Sequence, residues 1–281
     1  MSKIINCVIK VGEARADWWK KHMSSLLPNI NFFLMKENYE KEKIDLAIVW
    51  KPENGWLKTF KNLRCIISLG SGIDHILCDP DLPKDIPIIK TTGEDLKIRM
   101  REYVVLHVLK HHRNLQAITE ARNTNQWKQI IEPPANKRTI GIMGLGNLGL
   151  DCAITLKNLG FKLITDGFSR YPYELNGIKL IPQISSMPLP TFLPLISQLC
   201  IHINTLNDKD FKFLKSYYSK SGFNYVIENC DIHVCLLPLT KVTKKIFNKD
   251  VFLKMKEGVC FINAGRGEHI VEKDLISFCG N

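Results

Sequence analysis

Thr139-Ile140-Gly141-Ile142-Met143-Gly144-Leu145-Gly146-Asn147-Leu148-Gly149 is the stretch on which the fold turns. Its first five residues, largely apolar and β-branched, read as a buried strand. A GxGxxG turn follows, then a helical stretch to Leu159 and a second apolar strand from Phe161 to Thr165. Strand, glycine turn, helix and strand form a βαβ unit. Alone, the three glycines could be a plain glycine-rich turn. Between a strand and a helix they match the pattern that binds a dinucleotide. Gly144 permits the tight turn, Gly146 lets the backbone approach a pyrophosphate, and Gly149 lets the helix pack close to the strand. The helix start at Asn147 and Leu148 offers unpaired amides to the anion.

Working outward toward the N-terminus, short apolar runs recur at Ile4–Val11, Asp45–Trp50, Cys65–Leu69 and Ile86–Ile89. A helically spaced segment, Asp17–Leu27, lies among them. Strands alternating with helices predict a parallel sheet, and Gly70-Ser71-Gly72 ends one strand in a loop whose amides can approach a ligand. Asp95–Arg122 lacks Pro and Gly and keeps a helical apolar period, so one long helix is expected there. The breaker-rich Glu132–Arg138 segment marks a boundary. The expected organisation is a first α/β domain over 1–100, a connecting helix and linker over 101–138, and a nucleotide-binding domain over 139–281. Ile232–Leu237 and Val259–Asn263 read as later strands of that second sheet. Residues 182–229 fit this rhythm badly and read as an insertion. Its Lys and aromatic residues around 209–225 would suit nucleic acid, but a solvated amphipathic segment is the blander account, and no chemistry is assigned to it.

The 281 residues, 45% hydrophobic and 24% charged with a mean hydropathy of -0.08, suffice for two such domains. No apolar run approaches the roughly 18 residues of a membrane span, and Met1–Lys10 lacks the layout of a secretory leader. Nine cysteines, odd in number and without a CxxC pair, point to a reducing cytoplasm, and no metal site is expected. The net charge of +11 favours an anionic partner: a phosphate-bearing cofactor, a small acid or nucleic acid. Around the end of the second strand two signals compete. Asp166 stands where an acid would hold both ribose hydroxyls of NAD, whereas Ser169-Arg170 suits the 2′-phosphate of NADP.

Five segments together carry a resemblance. Leu69-Gly70-Ser71-Gly72-Ile73-Asp74-His75-Ile76, Met100-Arg101-Glu102-Tyr103-Val104, the glycine turn, Leu236-Leu237-Pro238-Leu239-Thr240 and Ile262-Asn263-Ala264-Gly265-Arg266-Gly267-Glu268-His269 resemble the D-isomer-specific 2-hydroxyacid dehydrogenases. The likeness is greatest to the glyoxylate/hydroxypyruvate reductase A group and extends over most of residues 45–281. It implies two doubly wound parallel-sheet domains: a flavodoxin-like substrate domain and a Rossmann NAD(P)-binding domain, the latter truncated at its C-terminal end. It implies an oxidoreductase that passes a hydride from NAD(P)H to a small 2-oxo acid. Gly70, Ser71, Gly72 and Ile73 would hold the substrate carboxylate, with Trp50 at the pocket mouth and Arg266 binding the carboxylate and polarising the ketone. Gly144, Gly146, Asn147, Leu148, Gly149, Leu237, Pro238, Thr240, Ala264 and Gly265 would bind the cofactor. Ser169 and Arg170 would favour NADP over the alternative, NAD.

The same resemblance implies a homodimer and neither membrane nor nucleic-acid binding. It also calls for a Glu and a proton-donating His in a segment beyond the helix that follows the Arg, and the sequence ends 15 residues past Arg266, so neither is expected in it. His75, His107, His111, His112 and His269 hold positions without that role. The alternative expectation is therefore an inactive NAD(P)-binding scaffold.

Overall fold

The computed structural model describes the main chain of residues 4–91, 93–166, 174–175, 178–179, 215–217 and 219–279. Two compact units divide at Gly93 and Glu94. The first is built on five parallel strands, β1 (Ile5–Lys10), β2 (Ile30–Leu34), β3 (Leu46–Val49), β4 (Cys65–Ser68) and β5 (Ile88–Lys90). Their order, β2-β1-β3-β4-β5, is that of the flavodoxin-like doubly wound sheet. β3 and β4 are buried at every residue, as central parallel strands must be when both faces are covered. Val8, Ala47 and Ile66 pack on one side with Leu57 and Phe60, while Cys7, Ile9 and Ile48 pack on the other with Met23 of α1 (Glu13–Leu26). The segment Ile30–Leu34, not singled out by sequence, is an edge strand whose alternate residues Ile30, Phe32 and Leu34 are buried.

The second unit holds β6 (Thr139–Met143), β7 (Lys162–Asp166), β10 (Lys215–Tyr217), β11 (Ile232–Cys235) and β12 (Cys260–Asn263), in the order β10-β7-β6-β11-β12, all parallel. Counted from β6 this is the 3-2-1-4-5 order of a Rossmann sheet, reversing direction between β6 and β11. β8 (Glu174–Leu175) and β9 (Ile178–Lys179) form a separate antiparallel pair that is grouped with the first unit. Ile140, Ile142, Ile232 and Val234 are fully buried.

Two expectations change. The stretch expected as an insertion, 182–229, ends in regular structure: β10 pairs with β7, and α6 (Ser219–Asn229) follows it. Phe223, Val226 and Ile227 of α6 lie in the core, so its amphipathic pattern reflects packing. The long helix is also two helices, α3 (Glu94–His112) and α4 (Leu115–Asn123), broken at Asn114 with φ 48° and ψ 47°. Asparagine tolerates this left-handed conformation better than most residues, so the break needs no Gly or Pro. α3 does more than connect. Val104 and Val108 belong to the core of the second unit, and Arg101 donates to both oxygens of Asp151 in α5 (Asn147–Asn158) at 3.1–3.2 Å.

Gly141 has a packing reason within β6. A Cβ there would come within 2.8 Å of Val226 and 2.9 Å of Cys230, so the missing side chain lets α6 and the turn after it close on the sheet. His233 on β11 shares this layer with no exposed surface, and burial pushes its pKa down to about 4. The unfolded chain therefore takes up a proton near pH 6.5 that the folded chain resists. This contribution to stability is complete above 6.5 and is lost as pH falls toward 4. Urea titrations should show a loss of about 2–3 kcal/mol from this group between pH 7 and 4.5, and His233→Leu should flatten that dependence. An unchanged pH profile in the variant would contradict the assignment.

Candidate functional site

In doubly wound sheets ligands settle beyond the carboxyl ends of the strands where the winding reverses. In the second unit that point lies between β6 and β11, and the glycine turn follows β6 there. Gly144 has φ +98°, and a Cβ on it would sit 2.6 Å from the backbone of Leu236. A Cβ on Gly149 would sit 1.9 Å from the carbonyl oxygen of Gly144. Both glycines are therefore demanded by the protein's own packing. Gly146 differs: it precedes α5, and a Cβ there would meet nothing within 4 Å. Protein packing gives no reason for this glycine, whereas close approach of a phosphate would. The N–H groups of Asn147 and Leu148, in the first turn of α5, have no carbonyl one turn earlier within the helix. These features fit a dinucleotide pyrophosphate.

Past β11, the amide of Leu236 donates to Met143 O at 2.7 Å, and Leu237 is buried. The Pro238–Thr243 turn is closed by Thr243 Oγ1, which donates to Pro238 O at 2.7 Å and accepts from the Thr240 amide at 2.8 Å. Past β12, the Ala264 amide donates to Cys235 O at 3.0 Å. Asn263 holds the next turn with both ends of its side chain: Oδ1 accepts from the Gly265 amide and Nδ2 donates to Arg266 O. Arg266 is half-buried and donates to Gly265 O. Sequence reasoning left His269 as a core or surface imidazole. It is fully buried, with Nδ1 3.0 Å from the Arg266 amide and Nε2 3.3 Å from Pro238 O. Leu237, Pro238, Thr240, Ala264, Gly265 and Arg266 thus lie on two neighbouring, internally braced loops of one unit.

The first unit carries its own cluster at the ends of β3 and β4. Trp50, 36% exposed, follows β3 and lays its ring against Gly70, where a Cβ would stand 2.3 Å from Cζ3. The ring also lies 4.6 Å from that of His75. Lys51 continues at φ +51°, and its amide donates to His75 Nδ1 at 3.2 Å. His75 Nε2 then carries the proton and donates to Ser68 Oγ at 3.1 Å. Ser68 Oγ lies within bonding distance of Gly70 N, Gly70 O and Gly72 O. The Gly70 amide is engaged there, so the part of Gly70 is to seat Trp50, and the Ser71-Gly72-Ile73 run leads into the short helix α2 (Asp74–Leu77). His75, buried and bonded on both ring nitrogens, was missed as a brace. Its polar neighbours, Ser68 and the Lys51 amide, come from strand ends remote in sequence.

Asp166 ends β7. Ser169 and Arg170 lie outside the described residues. Among the described residues no group of His, Cys, Asp or Glu could hold a metal ion, and no helix is long and apolar enough to cross a membrane.

The sequence profile of the D-isomer specific 2-hydroxyacid dehydrogenase NAD binding domain matches residues 105–209 and 197–280. The chain belongs to this family of NAD(P)-dependent oxidoreductases. It is 26% identical to glyoxylate/hydroxypyruvate reductase A of Yersinia enterocolitica, over 93% of this chain and 73% of that protein. Among solved structures it resembles the NADPH-dependent glyoxylate/hydroxypyruvate reductase of Sinorhizobium meliloti in complex with NADP and sulfate, with TM-score 0.74 and 26% identity over 97% of this chain and 76% of that one. A probable 2-hydroxyacid dehydrogenase of Rhizobium etli, in complex with NADP, HEPES and L(+)-tartaric acid, also gives TM-score 0.74, at 25% identity over 98% of this chain and 77% of that one.

The glycines separate by experiment. Gly149→Ala forces a methyl into the Gly144 carbonyl and should lose about 2–4 kcal/mol on urea unfolding, even after the roughly 1 kcal/mol gain in helix propensity. Gly146→Ala should unfold within about 0.5–1 kcal/mol of the parent. Equal losses for the two variants would contradict the distinction.

Proposed function

We propose that the chain is an NADPH-dependent reductase of glyoxylate, hydroxypyruvate or a similar small 2-oxo acid. The observation that carries the reading is the glycine turn at the β6–β11 reversal, where Gly146 alone faces open space beside the first amides of α5. Gly144, Gly146, Asn147, Leu148 and Gly149 would seat the pyrophosphate, and Leu237, Pro238, Thr240, Ala264 and Gly265 would bound the nicotinamide. The preference for NADPH rests on Ser169-Arg170, a hydroxyl and a guanidinium fork suited to a 2′-phosphate, and on the NADP-bound relatives.

The cofactor, when bound, would supply a hydride for the ketone carbon, and the alkoxide formed would take its proton from solvent water, since no side chain here is assigned that role. Arg266 meets the carboxylate and withdraws charge from the ketone oxygen, which makes the carbonyl carbon more electrophilic. The amides of Ser71, Gly72 and Ile73 are suited to a carboxylate, and the indole of Trp50 bounds the substrate's apolar side. A homodimer is part of the reading. Its support is the exposed apolar run of Leu106, Leu115, Ile118, Trp127 and Ile131 along and after α3 and α4. The described cysteines are all free thiols, which suits a reducing cytoplasm.

The test is oxidation of NADPH and NADH, side by side, by the purified chain with glyoxylate and with hydroxypyruvate. Saturable turnover with a preference for NADPH would carry the reductase reading and would require a proton donor other than the family's Glu-supported His. Arg170→Ala should reduce the NADPH-to-NADH preference about tenfold or more, and Gly146→Ala should weaken NADPH about tenfold while the chain stays folded. Binding of NADPH without turnover would support the scaffold alternative instead, and failure to bind either nucleotide would overturn both.

A further inference from the structure

We propose that His269 is a positioning residue that sets Arg266 against the nicotinamide loop. The inference rests on the reading of Arg266 given above. His269 lies in the 3-10 turn Gly267–His269, wholly buried, and touches neither reacting group in the assigned roles. Its ring is fixed at both nitrogens by backbone groups from two different loops. The Arg266 amide can only donate, so Nδ1 accepts at 3.0 Å and the ring proton stands on Nε2. That proton is directed at Pro238 O, 3.3 Å away, which also accepts from Thr243 Oγ1. One neutral imidazole thus spans the loop after β12, with Arg266, and the loop after β11, with Pro238 and Thr240.

The fit is close on the remaining sides. A Cβ at Gly265 would come within 2.9–3.0 Å of the imidazole and 3.1 Å of Leu237 O, so Gly265 lets the Arg266 turn close over the ring. Cys235 Sγ lies 3.9 Å from Nδ1 on another side. A purely apolar core residue would fill this volume but leave the Arg266 amide without its acceptor. Burial first, and the charge of Arg266 to a lesser degree, hold the His269 pKa below its ordinary value, against the bond to Pro238 O and, more weakly, the charge of Glu268. The ring therefore keeps its accepting Nδ1 through neutral pH. Protonation would turn that nitrogen into a donor facing another donor.

The experiment measures binding of NADPH, and then of oxamate to the chain saturated with NADPH, by calorimetry for the parent, His269→Ala, His269→Asn and Arg266→Ala. Oxamate is chosen because it presents a carboxylate beside a carbonyl without being reduced. His269→Ala should weaken oxamate about tenfold, several times more than any change in NADPH affinity. Asn supplies an amide oxygen near the place of Nδ1 and should restore most of the loss, a rescue that simple loss of packing would not give. Oxamate binding unchanged in His269→Ala, while Arg266→Ala loses it, would overturn the proposal and leave the Arg266 reading intact. Parent-like binding by Arg266→Ala would remove that reading and the proposal with it. Should His269→Ala fail to fold, nitrogen-15 histidine spectra of the parent decide: the Nε2–H tautomer is expected at neutral pH, and an Nδ1–H or charged ring would overturn the proposal.

Discussion

The second unit depends on a steric constraint between three pieces of backbone. The Gly144 carbonyl occupies the place where any side chain at position 149 would begin, and the Leu236 backbone occupies the place where one at 144 would begin. Helix α5 can approach β6 and β11 this closely only because those side chains are missing. The approach brings the helix's first, unpaired amides to the point where the sheet reverses its winding. A turn with side chains at these positions would push the helix away and disperse the amides. In the proposed reading, anion binding therefore follows from a packing property, and Gly146 is the one glycine of the three whose open side the protein leaves unfilled.

The loops beyond β11 and β12 are held by a different means. They carry few buried apolar side chains at their tips and are braced by short polar residues against backbone: Thr243 on Pro238, Asn263 on Gly265 and Arg266, His269 on both loops. The first unit repeats the device, with Ser68 and His75 bracing the turn that seats Trp50. Each of these side chains supplies a partner to half-buried backbone groups of the turn it braces. The turns at these strand ends are thereby tied together by side-chain bonds to backbone.

Much of this was legible in the sequence. The strand Thr139–Met143 was read with its true bounds, because a fully buried parallel strand is continuous apolar sequence and the glycines mark its end. The central strands around Ile48, Ile67, Val234 and Ile262 were legible for the same reason. What escaped has physical causes. The edge strand Ile30–Leu34 alternates and includes Asn31, so it lacks the continuous apolar signal. The left-handed turn at Asn114 breaks a helix with no Gly or Pro to announce it. The segment around Phe223–Ile227 is helical core, though its lysine- and aromatic-rich context suggested a surface insertion. His75 and His269 were passed over because their roles come from backbone partners contributed by other strand ends. No local spacing reports such contacts.

The central claim is that the amides opening α5 receive a pyrophosphate at the reversal between β6 and β11. Backbone amide spectra of the isotopically labelled chain, recorded through a titration with NADPH, test it directly. The account predicts that the largest shifts fall on Gly146, Asn147 and Leu148, with smaller ones on Leu237 and Thr240. Saturable binding that leaves the three amides of the turn in place while shifting residues elsewhere would contradict it.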